Sequence, residues 1–347
     1  MGAPWVDKTT AVAVGIGLVG AGLLYWASGE TAQVIQARMA TPMTAREAEL
    51  LELAPHGARH VISGDRDASL FVQTWVPDEC KAIVILVHGM NEHSGYLQRL
   101  TEVLLRGGYG AVAFDHEGFG RSSGTHALVT DYRILVQDVH GHVAAVRARW
   151  PEKQIYLMGC SFGGALIVHT LLASTRGIAG VILQAPALQL HASRRPPAAA
   201  EVIGRAFAAL LPALAIVPSN GGKGSSPLVR AAVSERKRAD PLYYSGKVRL
   251  GTAFSVLSAM DGLQTPSAMA ALATLDVPLL VQHGDADEVC ALAGSQDWLA
   301  QLVGCQDKQL KAYAGACHDL LHEPDAISSA VLRDTLAWLD ERCTTKS

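Results

Sequence analysis

Gly159-Cys160-Ser161-Phe162-Gly163-Gly164 stands between two apolar runs of different kinds. Before it, Gln154-Ile-Tyr-Leu-Met158 is β-branched and aromatic, bounded by Pro151 and Gly159, and reads as a buried strand. After it, Ala165-Leu-Ile-Val-His-Thr-Leu-Leu-Ala173 reads as an apolar helix. A G-x-S-x-G turn between a strand and a helix is the setting of a nucleophile elbow. Glycines flank Ser161 because the turn leaves no room for Cβ atoms. The helix start brings backbone N–H groups, and the positive end of the helix dipole, beside the serine oxygen. The alternative is a glycine-rich turn with an incidental serine. The two differ in what the rest of the chain must supply.

Outward from the elbow, strands and helices alternate. Ala82-Ile-Val-Ile-Leu-Val87 and Gly110-Ala-Val-Ala-Phe114 are continuously apolar, as strands buried on both faces are. A helix is expected around Arg133 to Trp150, strands at Val181–Gln184, Val277–Gln282 and Gln309–Tyr313, and a last helix from about Pro324 to Cys343. Arg59–Ile62 and Ser69–Val76 flank Gly64-Asp-Arg-Asp67 as an edge hairpin would. Thr44 and Glu47 are spaced as a capping box at the start of a helix ending at Glu52. The fold class is therefore α/β, with a mostly parallel central sheet and helices on both faces.

The pattern breaks between about Leu188 and Ala273, where helices without strands are expected as a cap inserted over the active-site face. Within it, Val202 to Val217 carries one charge and reads either as a buried cap helix or as a lipid-facing one. The resulting division is an apolar segment at 9–28, a linker and short helix at 29–57, a core at 58–187, a helical cap at 188–273 and the rest of the core at 274–347.

Thr9 to Ser28 contains no charged residue. A helix of about 20 such residues just crosses a hydrocarbon core of about 30 Å. Trp5 and Tyr25-Trp26 sit where interfacial rings belong. Lys8 is offset by Asp7 and no A-x-A site follows, which argues against a cleaved signal peptide. The expectation is a membrane protein with a single-pass N-terminal anchor. A net charge of −3 with no long basic run excludes a nucleic-acid surface, and Arg230 with Glu235–Arg238 reads as a solvated face. The six cysteines include no CxxC pair, so reduced thiols in a cytosol-facing catalytic domain are the simplest reading.

A serine hydroxyl needs a neutral imidazole to take its proton, and that imidazole needs a carboxylate to fix its tautomer. In this fold the order along the chain is Ser, acid, His. His283-Gly-Asp-Ala-Asp287 follows the penultimate strand and Gly315-Ala-Cys-His318 the last one. Both lie beyond strand C-termini, on the edge that carries Ser161, where the catalytic groups of open α/β sheets collect. Asp285, Asp287 and Glu288 compete for the acid, and His318 and His322 for the base. His88-Gly89-Met90 ends the strand from which a second oxyanion donor must come. The expected donors are the backbone N–H groups of Met90 and Phe162. Ser161 at the elbow excludes the epoxide and haloalkane hydrolases of this fold, which need Asp there. No metal or organic cofactor is implied.

Six stretches carry a family resemblance: His88-Gly-Met-Asn-Glu-His-Ser-Gly95, Asp115-His-Glu-Gly-Phe-Gly-Arg-Ser122, Gly159–Gly164, Ala239-Asp-Pro-Leu242, Gly284-Asp-Ala-Asp287 and His318-Asp-Leu-Leu321. Together they resemble the monoacylglycerol lipases of the α/β-hydrolase superfamily, the plant-type members in particular. The H-G-x-x-E-H-S block is the most specific of them. The resemblance implies an α/β-hydrolase fold, Asp287 as the acid and His318 as the base. It puts Glu92 near glycerol hydroxyls, whereas its bland role is a hydrogen bond within its own loop. The implied activity is hydrolysis of a lipid carboxylic ester through an acyl-enzyme. Alternatives are a lysophospholipid or a small phenolic ester as in caffeoyl shikimate esterases, acyl transfer by the same triad, or a non-catalytic membrane scaffold. The chain departs from the family in Cys160, where members carry His, in Tyr96, where animal members carry Arg, and in His322, one residue late.

Overall fold

The computed structural model describes residues 29–52, 57–64, 66–219 and 224–343. The segment expected to cross a membrane, 9–28, lies outside the described residues. Among the described residues no helix is long and apolar enough to cross a membrane.

Among the described residues ten strands form, β1 Ala58–Ile62, β2 Ser69–Trp75, β3 Ile83–Val87, β4 Gly110–Phe114, β5 Ile155–Cys160, β6 Gly180–Gln184, β7 Ala215–Val217, β8 Val248–Arg249, β9 Leu279–Gly284 and β10 Lys308–Tyr313. Eight of them make one sheet in the order β1-β2-β4-β3-β5-β6-β9-β10. β2 pairs antiparallel with both β1 and β4, and the remaining pairings are parallel. β1–β2 is the expected edge hairpin.

The apolar runs are explained by two-sided burial. Ile83, Ile85 and Val87 face one core with the helices Tyr132–Arg149, Phe162–Ala173 and Leu250–Leu263. Val84 and Leu86 face the other, with Leu100 and Leu104 of one helix and Val331, Trp338 and Leu339 of the last. Strand order reverses at β3, because β4 lies on one side of it and β5 on the other. A crevice opens at such a switch point beyond the strand C-termini. The loops after β3 and β5 therefore meet there.

Between β6 and β9 the expectation of helices alone is corrected. Helices Ala198–Leu210, Arg230–Ala239, Leu250–Leu263 and Pro266–Ala273 are joined by a two-stranded antiparallel ribbon, β7–β8. The apolar run from Val202 does not stay helical because Pro212 disfavours helical backbone before it. The helix stops at Leu210, and Ala215–Val217 goes into the ribbon. The buried reading of this run also fails. Val202, Ile203, Phe207 and Leu210 are 51–74% exposed, and no residue of the helix is buried.

The segment before the sheet is fastened to the core. The capping box forms as expected, with the Glu47 N–H donating to Thr44 Oγ1 (3.1 Å) and the Thr44 N–H to Glu47 Oε2 (2.8 Å). Glu47 also grips Arg121 through two bonds of 2.8 Å, while Arg121 donates to the Thr41 and Pro42 carbonyls. Burial opposes the charged form of Glu47, but the guanidinium outweighs it and holds the carboxyl below its ordinary range. Upstream, Arg38 donates to the Gly120 and Gly124 carbonyls. Glu30 accepts from the His126 N–H (2.8 Å) and lies 3.8 Å from Arg249 of β8. All six cysteines are free thiols.

Both members of the Glu47–Arg121 pair are at most 2% exposed. Glu47→Ala should therefore destabilise the fold by about 3–5 kcal/mol, the cost of leaving one buried charge unpaired. Urea unfolding of the two proteins measures this directly; a change of a few tenths would assign the stability of the N-terminal segment to its apolar contacts instead.

Candidate active site

Ser161 is the last residue before its helix and adopts φ +51°, ψ −116°, a conformation that L-residues avoid. The strain is sterically enforced. A Cβ on Gly163 would lie 2.2 Å from the Val87 carbonyl oxygen, and one on Gly159 would lie 2.7 Å from the Gly163 carbonyl carbon. Only glycine lets the helix start this close to β3 and β5. The turn is pinned by the Ser161 N–H, which donates to the Gln184 carbonyl (2.9 Å), and by the Ser161 carbonyl, which accepts from Ala187 (2.9 Å).

His318, beyond β10, brings Nε2 to 2.8 Å from Ser161 Oγ, and its Nδ1 is 2.7 Å from Asp287 Oδ2. A carboxylate only accepts, so Nδ1 carries the proton and Nε2 is left to accept from the serine. Asp287 is held by the N–H groups of Val289 (2.7 Å) and Cys290 (3.0 Å). Its Oδ2 also lies 3.2 Å from Nε2 of the fully buried His283. The rival candidates do other work: Asp285 accepts from the Gly315 N–H, and His322 is bonded to Asp319. Burial pushes the Asp287 carboxyl up, but His318, His283 and the loop N–H groups hold it well below the usual range. Burial likewise disfavours the His318 imidazolium, yet the Asp287 carboxylate raises its pKa above the ordinary value.

Met90 and Phe162 line the cavity beside Ser161. Among the described residues, neither N–H has an acceptor. Two uncommitted donors next to a serine–histidine pair are what an oxyanion requires. Glu92 performs its bland role, since Oε2 accepts from the Gly89 N–H (2.9 Å), and it also lines the cavity. Burial and the nearby Asp319 carboxylate push its pKa up. Cys160, in place of the family's histidine, donates its thiol to Gln184 Oε1 at 3.3 Å.

The cavity, about 300 Å³, has lining residues of two kinds. The insertion walls it with Val233, Val248, Val256 and Met260. Elsewhere Asp319 accepts from Tyr96 Oη (2.8 Å) and Lys237 Nζ (3.1 Å) and pairs with His322 (2.8 Å). This corrects the solvated-face reading of the basic cluster, because Lys237 turns inward with only 21% of its side chain exposed. Burial works against the ammonium, but Asp319, Tyr243 and Glu92 outweigh it and raise the pKa. The polar cluster was hidden in sequence because its members come from four separate loops and helices. Its one local signal was a lysine beside the family's A-D-P-L stretch.

The family model described as serine aminopeptidase, S33, matches residues 78–325. Human monoglyceride lipase is 30% identical over 291 residues, which cover 82% of this chain and 91% of the human enzyme. The caffeoylshikimate esterase of Arabidopsis thaliana is 26% identical over 288 residues, 80% and 83% of the two chains, so the likeness is not confined to plant members. A soluble variant of the Saccharomyces cerevisiae monoglyceride lipase, solved with a substrate analogue, superposes with a TM-score of 0.69 at 23% identity, covering 83% of this chain and 96% of that one. The chain belongs to this family and is a monoacylglycerol lipase-like serine hydrolase with the α/β-hydrolase fold.

Proposed function

We propose that the protein hydrolyses monoacylglycerol to fatty acid and glycerol at a membrane surface, with Ser161, His318 and Asp287 as its catalytic residues. The observation that carries this reading is the Ser161–His318–Asp287 chain, at 2.8 and 2.7 Å, beside a cavity lined by both apolar and hydroxyl-bonding side chains.

His318 Nε2 takes the Ser161 proton as Oγ attacks the acyl carbonyl. The developing oxyanion moves toward the N–H groups of Met90 and Phe162, each such donor typically contributing about 3–4 kcal/mol to the transition state. Asp287 stabilises the imidazolium, which then protonates the departing glycerol oxygen. Water enters, gives a proton to the same nitrogen and attacks the acyl-enzyme; the acyl bond to Ser161 Oγ breaks, the imidazolium returns its proton to that oxygen, and the fatty acid leaves. Val233, Val248, Val256 and Met260 suit an acyl chain, while Glu92, Tyr96 and Asp319 suit hydroxyl groups. Membrane action is supported by the charge-free run 9–28 and by the exposed Val202, Ile203, Phe207 and Leu210 on one insertion helix. A large exposed apolar patch is characteristic of interaction surfaces.

Intact mass after a fluorophosphonate probe should show one adduct on the native chain and none on Ser161→Ala, with fatty acid released from monoacylglycerol by the former only. Labelling without release would move the substrate to other esters. Because His318 acts only when neutral, kcat/KM should fall as pH drops through a pKa above the ordinary imidazole value of about 6.5. Asp287→Asn should lower kcat by about 10⁴ through loss of the correct tautomer; a pH profile and kcat close to the native ones would remove Asp287 from the mechanism. Phe207→Ser with Leu210→Ser should lower hydrolysis of vesicle-borne monoacylglycerol relative to a soluble p-nitrophenyl ester, and an unchanged ratio would count against membrane docking through this helix.

A further inference from the structure

We infer that Lys237 is a specificity-determining residue that admits uncharged polyol head groups and shuts out esters with a quaternary ammonium head group. The inference rests on the monoacylglycerol reading above and deepens it.

The groups around Lys237 attract a cation, with Arg238 as a second cationic residue in the cavity lining. The attracting groups are two carboxylates, Glu92 and Asp319, and the rings of Tyr96 and Tyr243, whose centroids are 5.6 Å apart. Carboxylates and aromatic faces converging on one volume are the usual recognition site for quaternary ammonium groups such as choline. Lys237 already fills it. Its Nζ lies 5.4 Å from the Tyr96 centroid and 5.2 Å from that of Tyr243, and it bonds Asp319 at 3.1 Å.

Occupation by the protein's own ammonium repels a second cation at a partly buried site, where the Coulomb interaction is only weakly screened. Hydroxyl groups suffer no such penalty, because the Glu92 carboxylate and the Tyr96 oxygen can accept hydrogen bonds from them without a change in net charge. The lysine comes from the inserted helix Arg230–Ala239, whereas Asp319 directly follows the base His318. The filter is therefore assembled only where the insertion meets the core.

The test uses the full chain in mixed micelles, with lauroylglycerol and lauroyl-lysophosphatidylcholine assayed on the same preparation. The native enzyme should favour the glycerol ester. In Lys237→Met the ratio of the two kcat/KM values should fall on the order of 100-fold, as expected when a like charge a few ångströms away is removed. Both esters are read on one sample, so a lower folded fraction cancels; Lys237→Gln serves if the methionine variant does not accumulate. A native enzyme without preference, or a ratio unchanged in the variant, overturns the role of Lys237. A native enzyme that cleaves p-nitrophenyl butyrate but neither lipid overturns the monoacylglycerol reading itself, so the two failures are distinguishable.

Discussion

The Gly163 backbone is pressed against the Val87 and His88 carbonyls, where a single added carbon would sit 2.2 and 2.6 Å from their oxygens. Almost everything at the catalytic edge follows from this contact. It brings the start of the helix onto the ends of β3 and β5, and it forces Ser161 to positive φ. It also sets the Phe162 N–H beside the loop that carries the Met90 N–H. Tight packing of backbone on backbone leaves little room to relax, so the position of Ser161 is fixed by sterics as well as by its backbone hydrogen bonds.

Electrostatics then act on a rigid frame. Asp287 is surrounded by donors: His318, His283 and two loop N–H groups. Such a carboxylate stays ionised throughout the neutral range and keeps the imidazole tautomer fixed. The opposite situation prevails a few residues away. Glu92 and Asp319 repel each other, and the protein neutralises part of that repulsion with a lysine borrowed from the insertion. One buried carboxylate holds the His318 imidazole, and another is paired with a lysine from the insertion.

The strands of the sheet were legible because period and burial agree: β3 and β4 are apolar without interruption and bury both faces. Position beyond a strand end admits Asp285 and His322 as readily as Asp287 and His318. The family resemblance selected the latter pair, and these are the side chains that the structure brings into line with Ser161. The insertion was misread in two places for a common reason. Its apolar run has no alternation to betray the ribbon at Ala215–Val217, and the charge pattern of Arg230–Arg238 conceals that one of its four basic side chains turns inward. Both depend on contacts far along the chain, as tertiary context commonly does.

The fastening of Glu30 has a mechanical meaning. Glu30 touches His126 and Arg249, and Arg249 in turn holds the His126 and Ala213 carbonyls, so the chain enters the fold at the root of the insertion. Glu30 is thus tied next to β8, on the same insertion that carries the exposed helix Ala198–Leu210, so a force applied at that residue is shared between the core loop at His126 and the insertion.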